Sequence, residues 1–150
     1  MNIYIEKWIL EGVPLNGIDI GENLFSTLDK LKDNHLVLVG TIDSGYYYLP
    51  NGFRIGFSNG IIDEVGVDLD YSHSNIIFKD FSCDFDFRDK KIHVVLNFLN
   101  DHLIKWKAIE SLDLNHLMII IIEKNIVFIF EIYEGTLSKI TKSNLQIKEV

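Results

Sequence analysis

Phe53-Arg54-Ile55-Gly56-Phe57-Ser58-Asn59-Gly60-Ile61-Ile62-Asp63-Glu64-Val65-Gly66-Val67-Asp68-Leu69 is the stretch that decides the fold. Asn59-Gly60 stands between two runs of strand-forming residues. Both central positions of a type I′ turn need positive φ, which this pair accepts at little cost. The expectation is a hairpin of residues 53–57 with 61–69. In its second arm Val65, Val67, Leu69 and Tyr71 alternate with Glu64, Gly66, Asp68 and Asp70, the two-residue period of a half-buried strand with one apolar and one acidic face.

Working outward, the turn signal Pro50-Asn51-Gly52 precedes the hairpin and predicts a strand over 46–49 before it, with another over 36–39. Leu24, Phe25, Leu28 and Leu31 recur at helical spacing, with Glu22 placed in the first turn of a helix over about 22–33. Ile92, Val95, Leu96, Leu99 and Leu103 repeat the pattern for a helix over about 89–104, with Asp89 near its start and Lys105 and Lys107 past its end. The Ile/Val/Phe-dense segments 117–122 and 126–132 flank Glu123-Lys124-Asn125 and predict buried strands. A turn at Tyr133 to Gly135 leads to a last strand over 137–140. At the other end, Ile3, Ile5 and Trp8 to Leu10 give a strand-like bias, and residues 14–21 a loop. The fold class is therefore α+β, mainly antiparallel β-sheet with two amphipathic helices. An internal echo suggests two αβ-meander pseudo-repeats: a helix, Asn34-His35-Leu36, strands, Phe57 and Gly60 in one half; a helix, Asp101-His102-Leu103, strands, Phe130 and Gly135 in the other. Duplication requires segments 22–69 and 89–141 to share strand order; convergence of unrelated units does not.

At 150 residues, 47% hydrophobic and 12% aromatic, the chain has apolar material for one core, and a single domain over 1–150 is expected. Pro14 and Pro50 are the only prolines, and nothing reads as a linker. The first residues carry Glu6 and Lys7 and lack the form of a secretory signal. The longest apolar run, 117–122, is far below the roughly 20 residues of a membrane-spanning helix. A lone cysteine, Cys83, excludes an internal disulfide, so cytoplasm is the expected compartment. A formal charge of -8 repels phosphate backbones and argues against nucleic acid.

That charge is concentrated. Between residues 63 and 89 the carboxylates Asp63, Glu64, Asp68, Asp70, Asp80, Asp84, Asp86 and Asp89 face only Lys79 and Arg88, interleaved with Tyr71, Phe78, Phe81, Phe85 and Phe87. Two readings are open: a solvated face guarding a sheet edge, or an acidic docking surface for a basic protein. Of Tyr46-Tyr47-Tyr48, consecutive on a strand, at least one ring is exposed; Tyr47 is taken with Tyr71 and the acids as candidate partner-binding residues. The pairs Asp68-Leu-Asp70 and Asp84-Phe-Asp86 lack the glycine-containing loop of a calcium site, and the five histidines lack zinc-ligand spacing, so neither metal nor cofactor is expected. The histidines read as surface or capping residues, and Cys83 as a small core residue. No nucleophile turn or phosphate-binding glycine pattern is present, and no enzymatic activity is expected.

Gly52-Phe53-Arg54-Ile55-Gly56-Phe57 and Gly60-Ile61-Ile62-Asp63-Glu64-Val65, within the passage from Tyr47 to Asp68, together with Ile104-Lys105-Trp106 and residues 127–130, resemble small acidic immunity proteins of bacterial polymorphic and contact-dependent toxin systems. The resemblance covers about two-thirds of the chain in pattern and includes no diagnostic motif. It implies a cytoplasmic, non-enzymatic inhibitor that occludes one cognate toxin, basic in character, with acidic and aromatic side chains; a monomer is the favoured state. The alternatives are a structural or adaptor domain that self-associates through an exposed strand and, behind it, a small-ligand-binding domain.

Overall fold

A computed structural model describes residues 3–70, 78–79, 85–111 and 113–144. The chain runs β1 (Ile3–Tyr4), α1 (Ile5–Glu11), α2 (Leu24–Leu31), β2 (Val37–Gly40), β3 (Ser44–Tyr48), β4 (Phe53–Ser58), β5 (Ile61–Asp68), β6 (Phe78–Lys79), α3 (Ile92–Asp101), β7 (Trp106–Ile109), β8 (His116–Ile121), β9 (Ile126–Glu131) and β10 (Leu137–Ser143). Eight strands form one antiparallel sheet in the order β2-β3-β4-β5-β10-β9-β8-β7, and β1 pairs with β6 in a small parallel sheet. This is the α+β, mainly antiparallel architecture expected, and no described helix is long and apolar enough to cross a membrane.

The hairpin β4–β5 forms where Asn59-Gly60 places it, with φ of 49° and 76°. Its inner face carries Phe53, Ile55, Phe57, Val65 and Val67, all buried in one core with Ile119, Ile121, Phe128, Phe130 and Ile140 of the other half. Leu24 and Leu31 of α2 and Val95, Phe98 and Leu99 of α3 close that core from the helix side. Phe87 is buried there too, edge-on to Phe98, while Phe85 stacks on Phe98 at 4.2 Å.

Several boundaries differ from expectation for local reasons. The first segment is not one strand: after Ile3–Tyr4 it is helical, because Ile5, Trp8 and Ile9 fall at the three- and four-residue spacing of one buried stripe. Gly12, at φ 75°, ends that helix as its N–H reaches Trp8 O at 3.1 Å. In α2 the cap is Asn23, whose side chain accepts from Ser26 N; Glu22 lies before the helix, and Phe25 is exposed rather than buried. Helix α3 is shorter than residues 89–104. Asp89 (φ 57°) precedes its N-cap Lys91, and Leu103 (φ 56°) lies past its end with 91% of its surface exposed. Strands β6 and β7 were not anticipated, and β10 runs three residues beyond Ile140.

The two halves repeat. Each is a helix followed by a four-stranded meander, and the meanders join through their fourth strands, β5 and β10. The start of each helix is tied to the last hairpin by matching bonds: Leu24 N–H to Gly60 O (2.9 Å) and Ile62 N–H to Glu22 O (3.0 Å) in the first; Ile92 N–H to Gly135 O (2.9 Å) and Leu137 N–H to Lys90 O (2.8 Å) in the second. Phe57 pairs with Ile62 as Phe130 pairs with Leu137, and an irregularity follows each pair, at Asp63 and at Ser138. Segments 22–69 and 89–141 thus share strand order, as a repeat requires. Counted from the helix starts, His102 falls opposite Asn34, one position off the tripeptide match: Asp101 is the last residue of α3, whereas Asn34 lies past the end of α2.

In the joining pair Lys139 opposes Asp68 and Ser143 opposes Glu64, so the local two-fold passes through Thr141 and Gly66, which oppose one another. A Cβ on Gly66 would lie 2.5 Å from Ile140 O and 3.0 Å from Thr141 Cα. Those atoms are backbone of the partner strand and cannot rotate away. Gly66→Ala is therefore expected to lower unfolding free energy by about 1–3 kcal/mol, toward the upper end, read by urea denaturation; an unchanged midpoint would show that the strands can part at the axis.

Candidate functional site

Outward-facing side chains of β3, β4 and β5 gather around Arg54. Its guanidinium lies 4.0 Å from the centre of the Tyr46 ring and 5.4 Å from that of Tyr48, and the side chain is only 5% exposed. Arg54 Nε is 3.0 Å from Glu64 Oε1, but its N–H has no well-aimed acceptor. The pair is thus an ionic contact without the directed hydrogen bond that makes such pairs strong. Gly56 makes room for it: a Cβ there would sit 2.8 Å from Glu64 Cβ and 3.0 Å from Tyr46 Cε1. The irregularity beside Gly56 adds Asp63 to the group; its carboxylate, 3.1 Å from where that same Cβ would lie, accepts from Ser58 Oγ at 2.7 Å. Across the joining pair lies Lys139, opposite Asp68.

Burial and the charges oppose one another here. Burial pushes the Glu64 carboxyl up, and the attraction of Arg54 and Lys139 does not bring it back. Lys139 is pushed down by burial and by Arg54, against the pull of Asp68, Glu64 and Asp70. Burial also raises the Tyr46 phenol, with Glu64 adding to it. The ion pair is close by distance, yet desolvation outweighs it, in keeping with the misdirected Nε–H.

The acidic residues singled out in the sequence divide into groups. Asp63, Glu64, Asp68 and Asp70 lie on or just after β5. Of these Glu64 is engaged by Arg54, Asp63 by Ser58 and Asp70 by Ser138 Oγ, while Asp68 Oδ1 accepts from Asp70 N at 3.1 Å. Asp86 and Asp89 belong to the approach to α3 instead. Asp86 is ion-paired with Arg88; burial works to raise its carboxyl, and the Arg88 side-chain and backbone bonds overcome that and hold it low. Tyr71, Asp80, Asp84 and Cys83 lie outside the described residues. Tyr47 requires a correction: its ring packs on the core, 5.4 Å from Phe57, whereas Tyr46 and Tyr48 take the outer face. The alternation of a strand demanded that split, and the sequence could not say which parity faced inward. Arg54 was also missed, since an arginine inside a strand gives no signal of its ring partners. His102 does act as a cap, its Nδ1 2.9 Å from Phe98 O, and His116 pairs with Asp113. Among the described residues no group of three or more His, Cys, Asp or Glu is placed to hold a metal.

The repeat sharpens the picture. By register Arg54, Tyr46, Tyr48 and Gly56 correspond to Val127, Met118, Ile120 and Ile129, and Glu64 to Lys139. In the second half Val127, Met118, Ile120 and Ile129 form an apolar cluster with Ile109 on the same outer face. One framework thus carries a charged, aromatic surface on one side and an aliphatic one on the other.

Comparison of the chain with protein-family models, curated proteins and solved structures returned no match.

Because the folded state holds the Glu64 proton to higher pH than the unfolded chain does, stability contributed here is full below the ordinary carboxylate value of 4.5 and is lost as pH rises through the folded-state value. The gap in unfolding free energy between Glu64→Gln and the parent should widen in favour of the variant as pH increases above 4.5. Chemical denaturation on both sides of that value checks it; a gap independent of pH would contradict the assignment.

Proposed function

We propose that the chain is a non-enzymatic protein-binding inhibitor, of the immunity-protein kind, whose acidic outer sheet face engages a basic partner, the cognate toxin. The observation that carries this reading is the run Asp63, Glu64 and Asp68 on β5 with Asp70 just after it, across β4 from Tyr46 and Tyr48 on β3. Carboxylates on a pleated strand are held at fixed spacing, which suits an array of lysine or arginine side chains on a partner. Asp63 and Asp68 are half-buried and Asp70 is exposed, so each retains surface to offer. Glu64 has a different role: it holds Arg54 beneath the two tyrosines and keeps those rings in place. Rings fixed in advance lose little entropy on binding, the property that makes tyrosine an effective anchor.

Asp86 and Asp89, on another element, are not required by this face, and the proposal rests on β3 and β5. A cytoplasmic setting accords with the lone cysteine.

Asp63→Lys, Asp68→Lys and Asp70→Lys should each slow association with a basic protein partner by about tenfold at low salt, with the difference shrinking as ionic strength rises. Stopped-flow or surface-capture kinetics would read this. Unaltered rates and affinity in all three variants would remove the acidic face as the binding surface.

A further inference from the structure

We propose that β2 is a self-association edge, at which two copies of the chain pair their β2 strands antiparallel across a two-fold axis and join two sheets into one. This is independent of the acidic face, and it replaces the monomer favoured by the sequence with a reversible dimer.

β2 ends the eight-stranded order, with β3 on one side and no strand on the other among the described residues. All four of its residues are exposed, Val37 by 50%, Leu38 by 41% and Val39 by 54%, and Ile42 beyond it by 80%. From Leu36 to Ile42 there is neither a charge nor a proline. A strand of this kind offers unpaired backbone donors and acceptors with aliphatic side chains on both faces, and sheet edges commonly carry lysine, proline or an irregularity that blocks further pairing.

The molecule supplies its own control. The other edge, β7, is the repeat's counterpart of β2. Through their pairings with β3 and β8, Val37, Leu38 and Val39 correspond to Lys107, Ala108 and Ile109. There Lys107 stands where Val37 stands here, Lys105 and Glu110 flank the strand, and Ile109 is only 4% exposed within the outer apolar cluster. One backbone position is thus guarded at one edge and left open at the other.

The stretch itself selects the occupant. A basic partner would find no carboxylate between Leu36 and Ile42 to pair with, whereas a second copy meets a strand as neutral and aliphatic as its own. The net charge of -8 opposes the approach of two copies and keeps the pairing weak. Two β2 strands centred on Leu38 set Val37 against Val39 on one face and Leu38 against Leu38 on the other, aliphatic with aliphatic throughout. The same mode of joining, antiparallel about a local two-fold, already holds β5 to β10. An edge of four residues buries little surface, so the dimer should dissociate in roughly the micromolar range.

The test is sedimentation velocity or light scattering on the full chain over a concentration series spanning that range. The parent mass should climb from 17.3 kDa toward twice that value as concentration increases. Val37→Lys, which copies the guard at residue 107, and Val39→Lys should each hold the mass at 17.3 kDa through the series, with an unchanged circular-dichroism spectrum. Amide exchange at Val37–Gly40 should slow on concentration in the parent alone. A parent that stays at monomer mass at every concentration overturns the proposal, as does dimerisation that both lysine variants leave intact.

Discussion

The pairing of β5 with β10 about Gly66 and Thr141 is the contact on which the rest of the structure depends. Each half brings a four-stranded meander whose inner face is apolar, and neither alone makes the continuous core that Phe53, Ile55, Phe128 and Phe130 share. Joining the fourth strands merges two half-sheets into one surface that the helices can cover. Gly66 sets how closely those strands approach, since the partner backbone occupies the space a side chain would need. The consequence reaches the outer face as well, because Lys139 is brought across to Asp68 by that register and no other.

Much of this was legible in the residues themselves, for reasons that differ by element. Asn59-Gly60 requires positive φ at two successive positions, a demand local enough that no tertiary contact overrides it, and the hairpin follows. The helices α2 and α3 were visible in their apolar stripes, but their ends were not, since capping geometry chose Asn23 over Glu22 and turned the chain before Leu103. Where local pattern was ambiguous, packing decided. Ile3, Ile5, Trp8 and Ile9 satisfy a two-residue period at first and a helical one afterwards, and burial against the core took the second. Trp106-Lys107-Ala108-Ile109 has no alternation to read, and becomes a strand because β8 offers it an edge.

The candidate surface was half legible. A count of carboxylates located the acidic segment correctly in sequence, but whether neighbours in sequence become neighbours in space depends on the path of the chain. β5 keeps Asp63 to Asp70 together, while Asp86 and Asp89 leave for the approach to α3. Counting also treats every carboxylate alike, and the structure does not. Glu64 and Asp86 are taken up by arginines of the chain itself, and what they contribute is the arrangement of other groups. The tyrosine triplet shows the same limit, for period two guarantees that Tyr46 and Tyr48 share a face against Tyr47 without naming which face meets water.

The repeat turns these particulars into a comparison within one molecule. Val127, Met118 and Ile120 show that the positions of Arg54, Tyr46 and Tyr48 can be filled by aliphatic side chains, with Lys139 at the position of Glu64. Arg54, Tyr46, Tyr48 and Glu64 occupy the matching positions at the cost of desolvating an arginine and a carboxylate that lie 3.0 Å apart without a directed hydrogen bond. A buried ion pair is seldom more stable than the apolar residues that could replace it, and in the second half Val127 stands at the position of the arginine while Lys139 stands at that of the carboxylate. What the arginine does is hold two aromatic rings, by their faces, on the outside of a sheet beside a row of carboxylates, the arrangement on which the proposed binding face rests.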